Sequence, residues 1–246
     1  MAECNQELEI LGNCLDRIFI KKERSSKVED LSKQTNSLSE YEDTIQEKSP
    51  SCSFEETIAL MASIENKLEM PKNLPGGILV DHIYVVSPYD LNLFLFAPNS
   101  RFRKDLAELQ GTTNVEEGPW ALNPKDISCL KRVVTYTKAA TKLVKAVNAT
   151  EEQTYIRVTR EEFSVLFSIS MPEVPFGNKF RIELLYKVMP GGISYGDVSS
   201  HFVVTWAIVF LQSTILKGII ERGVQQGMKE SFDQFCNLLA QNFEVL

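Results

Sequence analysis

HFVVTWAIVFLQSTILKGIIERGVQQGMKESFDQFCNLLAQN, residues 201–242, decides the fold. From His201 to Leu211 the chain alternates Phe202, Val204, Trp206, Ile208 and Phe210 on one side, the period-two pattern of a half-buried strand. From about Gln212 to Asn242 the apolar residues Ile215, Ile219, Ile220, Val224, Met228, Phe232, Phe235 and Leu239 recur at steps of mostly three and four. That spacing predicts one amphipathic helix, on the order of 45 Å long at ~1.5 Å per residue. Gly218, Gly223 and Gly227 lie inside it, and each costs about 1 kcal/mol relative to Ala in a helix interior. The expected compensation is close approach of the helix backbone to a sheet, at Gly223 and Gly227 above all. Their four-residue spacing also occurs in membrane helices, but Glu221, Arg222, Gln225, Gln226, Lys229, Glu230 and Asp233 make this helix too polar to be one.

Upstream, the chain reads as a series of strands: 78–86, 114–120, 129–137, 152–159, 162–171 and 180–189, then 201–211. Phe163, Val165, Phe167 and Ile169 alternate on one, and Phe180, Ile182, Leu184, Tyr186 and Val188 on the next. Hairpin-length links argue for antiparallel pairing, not for βαβ units. Ser87-Pro88 is an N-cap followed by proline at the first helical position, so residues 88–96 form a short helix, and 100–109 form another. The expected fold is α+β: a helix-grip arrangement, a curved antiparallel sheet of about six or seven strands with the long C-terminal helix across it and short helices N-terminal to it. Such a sheet has enough apolar surface either for a ligand cavity of roughly 300–1,000 Å³ or for a solid core, and periodicity does not choose between them.

The N-terminal part differs. Lys, Glu, Asp, Ser and Gln dominate from Lys21 to Ser53, a composition that cannot bury enough apolar surface to offset chain entropy. Residues 1–53 therefore read as mostly disordered linker, with Leu8, Leu11, Leu15, Ile18 and Phe19 able to form a turn or two of amphipathic helix. Residues 54–73 read as a helix and linker, the helix running to Glu69 with Ser53 and Glu56 at capping-box spacing. The domain proper is residues 74–246.

Composition excludes several classes. The net charge of −7 is unlike that of a nucleic-acid binder. The five cysteines (Cys4, Cys14, Cys52, Cys129 and Cys236) include no pair at metal or redox spacing, which favours a reducing compartment with Cys129 and Cys236 as small core residues. The acidic start, with Glu3, Glu7 and Glu9, is not a signal peptide. No apolar run approaches the roughly 20 residues of a bilayer span. Catalytic signals are weak: the chain has two histidines, His82 and His201, both on expected strands, and lacks a G-x-S-x-G, P-loop or HExxH pattern. The reading is of a non-enzyme with no cofactor and no metal.

Three separated stretches resemble one known family: TYTKAATKLVKAVNATEEQTY (Thr135 to Tyr155), MPEVPFGNKFRIELLY (Met171 to Tyr186) and FLQSTILKGIIERGVQQGMKESFDQFCNLLAQ (Phe210 to Gln241). They are similar to the VASt domain, with LPGG at Leu74 to Gly77, ELQGTT at Glu108 to Thr113 and GPW at Gly118 to Trp120 adding to the likeness. The chain most resembles the VASt regions of plant C2 and GRAM domain-containing proteins. The resemblance implies a START-like fold with a hydrophobic pocket for a sterol or related lipid. It also implies a cytoplasmic protein peripherally associated with membranes, at membrane contact sites. No GRAM or C2 domain is recognisable in the chain, which reads as a piece of a longer architecture.

On this reading the pocket is lined by Phe167, Ile169, Leu184, Tyr186, Val204, Trp206 and Ile208 on strands and by Ile219 and Val224 on the helix. A one-residue slip would move each strand's set to the other face. Tyr136, Tyr155, Tyr186 and Trp206 are candidates to bond a sterol hydroxyl. Lys138, Lys142 and Lys145, downstream of Lys131 and Arg132, form either a small basic face for an anionic membrane surface or a solvated loop. Phe176, in the turn made by Pro172, Pro175 and Gly177, is a candidate membrane contact or pocket cover, and Leu74 to Gly77 is a candidate lid. The competing readings are an interaction or regulatory module with a filled pocket, a receptor for a smaller polar ligand, and, least supported, an enzyme on the same fold.

Overall fold

A computed structural model of the chain describes residues 53–63, 69–123, 126–140, 145–194 and 197–246. The expected linker over residues 1–52, the 64–68 portion of the first helix and Lys142 lie outside the described residues.

The described helices begin where local chemistry starts them. In α1 (Phe54–Ser63) both halves of a capping box form: Glu56 N–H donates to Ser53 Oγ at 3.1 Å and Ser53 N–H donates to Glu56 Oε2 at 2.8 Å. In α2 (Pro88–Phe96) Ser87 Oγ accepts from Asp90 N–H at 3.1 Å, with proline at the first helical position as expected. Ser100 caps α3 (Arg101–Leu109), accepting from Arg103 N–H. The long helix, α4 (Lys217–Ala240), starts later than its apolar periodicity suggested: Ile215 lies in the lead-in, fully exposed.

Among the described residues eight strands form one open antiparallel sheet: β1 (Ile78–Tyr84), β2 (Thr113–Glu117), β3 (Ala121–Asn123), β4 (Asp126–Lys138), β5 (Val147–Val158), β6 (Phe163–Ser170), β7 (Phe180–Ser194) and β8 (Asp197–Phe210). Their order is β1-β8-β7-β6-β5-β4-β2, with β3 against β4. The sequence reading missed the short strand β3, the start of β5 at Val147, and the extension of β7 to Ser194 and of β8 back to Asp197. Both edges are protected: β2 is short and carries Glu116 and Glu117, while along β1 the C-terminal residues pair through Val85 N–H to Glu244 O and Leu246 N–H to Ile83 O, each 2.9 Å.

Register brings the apolar alternation of neighbouring strands into rows. Phe167, Leu184 and Trp206 form one row across β6, β7 and β8, Ile169, Ile182 and Ile208 a second, and Val165, Tyr186 and Val204 a third. This inner face meets the helices. Phe232, Phe235 and Leu239 of α4 are buried, with Phe235 5.9 Å from Phe202 and 5.1 Å from Phe102, ring centre to ring centre. Gln110, which caps α3, donates to Ser231 O and Oγ and ties α3 to α4. On the outer face the segment after residue 69 crosses the sheet. Lys187 Nζ donates there to Asn73 Oδ1, and Leu74 N–H donates to Thr205 Oγ1 at 3.0 Å.

The glycines correct one expectation. At Gly218, Gly223 and Gly227 a Cβ would meet open space, so the helix does not approach the sheet closely there. The tight contact is in LPGG. A Cβ at Gly76 would fall 2.5 Å from Trp206 O and 2.9 Å from its indole ring, because Gly76 N–H donates to Trp206 O at 2.8 Å and lies flat against it. Two opposite outcomes are expected in thermal melts. Gly223→Ala and Gly227→Ala each stabilise by up to about 1 kcal/mol, whereas Gly76→Ala destabilises because the β1–β8 pairing must shift to admit the methyl group.

Candidate functional site

The strand residues expected to line a pocket share the inner face. Phe167, Ile169, Leu184, Tyr186, Val204 and Trp206 are buried there and Ile208 is half-buried. Trp206 is the residue that Gly76 and Gly77 lie against, so the LPGG stretch covers one end of this face. On α4, Val224 is half-buried and packs on the core, while Ile219 is 62% exposed and Ile220 is buried in its place. The reason is helical phase. Ile220, Val224, Phe232, Phe235 and Leu239 follow one stripe, and Ile219 sits beside it.

Packing is uneven along this interface. Around the C-terminal half of α4 aromatic rings fill the space: Tyr186 lies 4.3 Å from Phe167, 5.8 Å from Phe96 and 6.2 Å from Phe232. Around the N-terminal half, Val224 and Met228 keep accessible surface, and the three glycines lie on the solvent side of the helix. Two clefts elsewhere are lined by other residues. One of about 430 Å³ lies between α3 and β2, walled by Arg103, Ala107, Glu108, Val115 and Glu117. The other, about 280 Å³, lies beside Phe94, Phe102 and Leu238.

The inner face also holds a polar network that the sequence reading missed. Arg132, counted there as part of a basic stretch, is buried on β4 between Leu130 and Val134. Its Nε donates to Gln153 Oε1 at 2.7 Å, its Nη1 to Glu117 Oε2 at 3.2 Å, and its guanidinium stands 4.4 Å from the centre of Trp120. Arg103 from α3 reaches the same partners, 3.2 Å to Gln153 Oε1 and 3.0 Å to Glu117 Oε1. Gln153 Nε2 in turn donates to Glu151 Oε1, and Tyr136 Oη donates to Glu151 Oε2 at 3.3 Å. Desolvation lowers the pKa of the Arg132 guanidinium to about 9, helped by the neighbouring Arg103. A usable signal existed: Val147, Ala149, Glu151, Gln153 and Tyr155 share one parity, so Glu151 and Gln153 lie on the face of their apolar neighbours. Starting that strand at residue 152 hid it.

The other candidate positions separate. Tyr155 donates to Asn92 Oδ1 at 2.9 Å, both side chains buried, which anchors α2 to the sheet. Lys138 does not stand with Lys145 on a solvated basic face. It ends β4, half-buried, and burial lowers its ammonium below the ordinary lysine value, opposed by Glu151. Lys145 is exposed. Phe176 is 43% exposed and holds a left-handed backbone (φ 64°), in the turn before β7. Leu211 N–H donates to Lys179 O, which brings Phe176 to the same end of the sheet as Leu211 (54% exposed), Ile215 and Ile219. Lys179 and Lys217 flank this apolar end, over the rings of Phe176 and Phe210.

Comparison with known proteins places the chain in a family. A C2 and GRAM domain-containing protein of Arabidopsis thaliana is 48% identical over 219 residues, covering 89% of this chain. The chain spans 21% of that protein's length. Among solved structures, a Thermus thermophilus protein aligns at 18% identity with a TM-score of 0.37, over 66% of this chain and 92% of that one. Residues 78–227, from the first strand to the third helical glycine, match the family described as VAD1 Analog of StAR-related lipid transfer domain. The chain belongs to the VASt family.

Proposed function

We propose that this chain is a lipid-binding module that holds a sterol-like lipid between the inner face of the sheet and the N-terminal half of α4, and that delivers or withdraws it at a membrane surface. One observation carries the reading. In a chain of a family described by lipid transfer, three registered rows of apolar side chains face a helix whose N-terminal half buries Ile220 but leaves Val224 and Met228 partly accessible. Removing a lipid's apolar surface from water there gains about 25 cal/mol per Å². Phe167, Ile169, Leu184, Tyr186, Val204, Trp206, Ile208 and Val224 are the proposed lining. The domain so defined is residues 74–246.

Membrane contact is assigned to the end of the sheet that carries Phe176, Leu211, Ile215 and Ile219. Clustered exposed apolar side chains mark interaction surfaces, and Lys179 and Lys217 beside them suit an anionic lipid surface. No helix among the described residues is long and apolar enough to cross a membrane, so this contact is peripheral. The Arabidopsis relative carries C2 and GRAM domains by name, which accords with a membrane-associated setting in the cytoplasm. The aromatic packing around Phe232 and Phe235 favours a second reading, an interaction module whose interior is already filled.

A titration separates the two. The purified chain is expected to bind a fluorescent sterol and to move it between liposomes, and failure of both favours the filled module. Val224→Trp, which places a large ring between α4 and the inner face of the sheet, is expected to weaken sterol binding about tenfold. Ile215→Asp combined with Ile219→Asp should abolish cosedimentation with liposomes. Lys179→Glu and Lys217→Glu should each weaken binding to anionic liposomes about fivefold, consistent with ~1 kcal/mol per basic residue near such a surface. The same charge reversal at Lys138, turned onto the inner face, should act on folding instead.

A further inference from the structure

Helix α1 precedes the residues that match the family, yet it is part of the packed interior. It docks by one stripe. Phe54, Ile58 and Met61 stand at i, i+4 and i+7 and are buried, while Glu55, Ala59 and Leu60 on its other side are exposed. The Phe54 ring stacks on Trp120 at 5.8 Å between centres and lies 6.3 Å from Tyr155, and those two rings are 5.0 Å apart. This is an amphipathic helix laid on an apolar surface, the helix-in-groove mode of recognition. At 10 residues it is shorter than the roughly 12–15 that hold a helix in water unaided, so its folding depends on its docking. Its first turn is closed by its own atoms: Thr57 Oγ1 donates to Ser53 O at 2.9 Å, besides the reciprocal Ser53–Glu56 pair.

From Trp120 and Tyr155 the contacts run on to α2 and the inner face. Trp120 Nε1 donates to Phe96 O at 2.9 Å, and Tyr155 Oη donates to Asn92 Oδ1, so both rings that α1 covers are bonded to α2. Phe96 in turn lies 6.1 Å from Phe167 and 5.8 Å from Tyr186. The docked state is also penalised. Asn92 Nδ2 and Arg132 Nη2, the second on the guanidinium over Trp120, are buried without a hydrogen-bond partner among the described residues, and a buried donor left unpaired destabilises. Water that reaches Trp120 and Tyr155 meets both donors. Lys187 and Thr205 pin Pro71, Asn73 and Leu74 on the outer face, so a released α1 stays tethered near its groove.

We propose that α1 is a conformational latch: docked, it fixes Trp120 and Tyr155 and through them α2, and it releases as a unit while the sheet stays folded, freeing α2 and the seat of Phe96 on Phe167 and Tyr186. The device is independent of what the inner face binds. Packed side chains of this kind carry coupling between elements only where both respond to one opening, and that response is measurable.

Hydrogen exchange on the full chain, read by mass spectrometry, tests the latch on three sets of amides: α1, α2 from Leu91 to Ala97, and β7 from Ile182 to Val188. In the wild type, α1 and α2 are expected to exchange through openings at least about 100-fold more frequent than those of β7, as units that open below the global limit do. Phe54→Ala removes the stacked ring and should speed exchange of α1 and α2 by the same factor, about tenfold or more, with β7 unchanged. A faster α1 with α2 unaffected is fraying of a short helix and overturns the latch. Equal acceleration of α1, α2 and β7 makes α1 ordinary core and overturns it too. The wild-type profile needs no variant to fold, and equal protection of α1 and β7 in it overturns the proposal by itself.

Discussion

The β7–β8 ladder is the constraint on which the rest depends. Pairing runs from Phe180 against Phe210 to Ser194 against Asp197, with one register shift between Pro190 and Gly192. Below that shift parity is locked, because a slip by one residue would turn Ile182, Leu184 and Tyr186 outward and bring Glu183 and Lys187 in. Every neighbouring strand inherits its inner face from this pair. The helix then has one apolar surface to cover, and the outer face is left to the segment that binds Thr205 and Lys187.

Much of this was legible beforehand for a physical reason. Strands β6, β7 and β8 alternate strictly, and α2 and α3 carry serine caps, so local chemistry and global fold agree in those segments. That Phe167, Ile169, Leu184, Tyr186, Val204, Trp206 and Ile208 share one face followed from the same alternation. What stayed hidden was where the pattern is broken by charge. Arg132, Glu151 and Gln153 hold inward positions that a hydropathy reading assigns to solvent, and only the facing partners, Arg103 from α3 and Glu117 from β2, make their burial intelligible. Ile219 was misplaced by a smaller effect: two adjacent isoleucines fit the helical spacing about equally, and the packing of Phe232, Phe235 and Leu239 chose Ile220.

The polar network changes what kind of interior this is. A purely apolar chamber discriminates weakly among hydrophobic ligands, since one methylene more or less changes little. An interior with a fixed carboxylate at one end and aromatic rings at the other is polarised. The Arg103–Glu117 pair extends the network to the α3–β2 cleft, so this wall is held from outside as well as within.

The uneven seating of α4 has a mechanical consequence. Its C-terminal half is anchored by Phe232, Phe235 and Leu239, by Gln110 at Ser231, and by the tail that pairs along β1. Its N-terminal half holds Ile220 as a buried contact, and bears three glycines that weaken the helix itself. Free energy of local opening is set by the contacts broken, so it rises steeply along the helix from Lys217 toward Leu239. The element behaves as a lever with its fulcrum at the aromatic cluster, and its free end is the one beside Ile215 and Ile219.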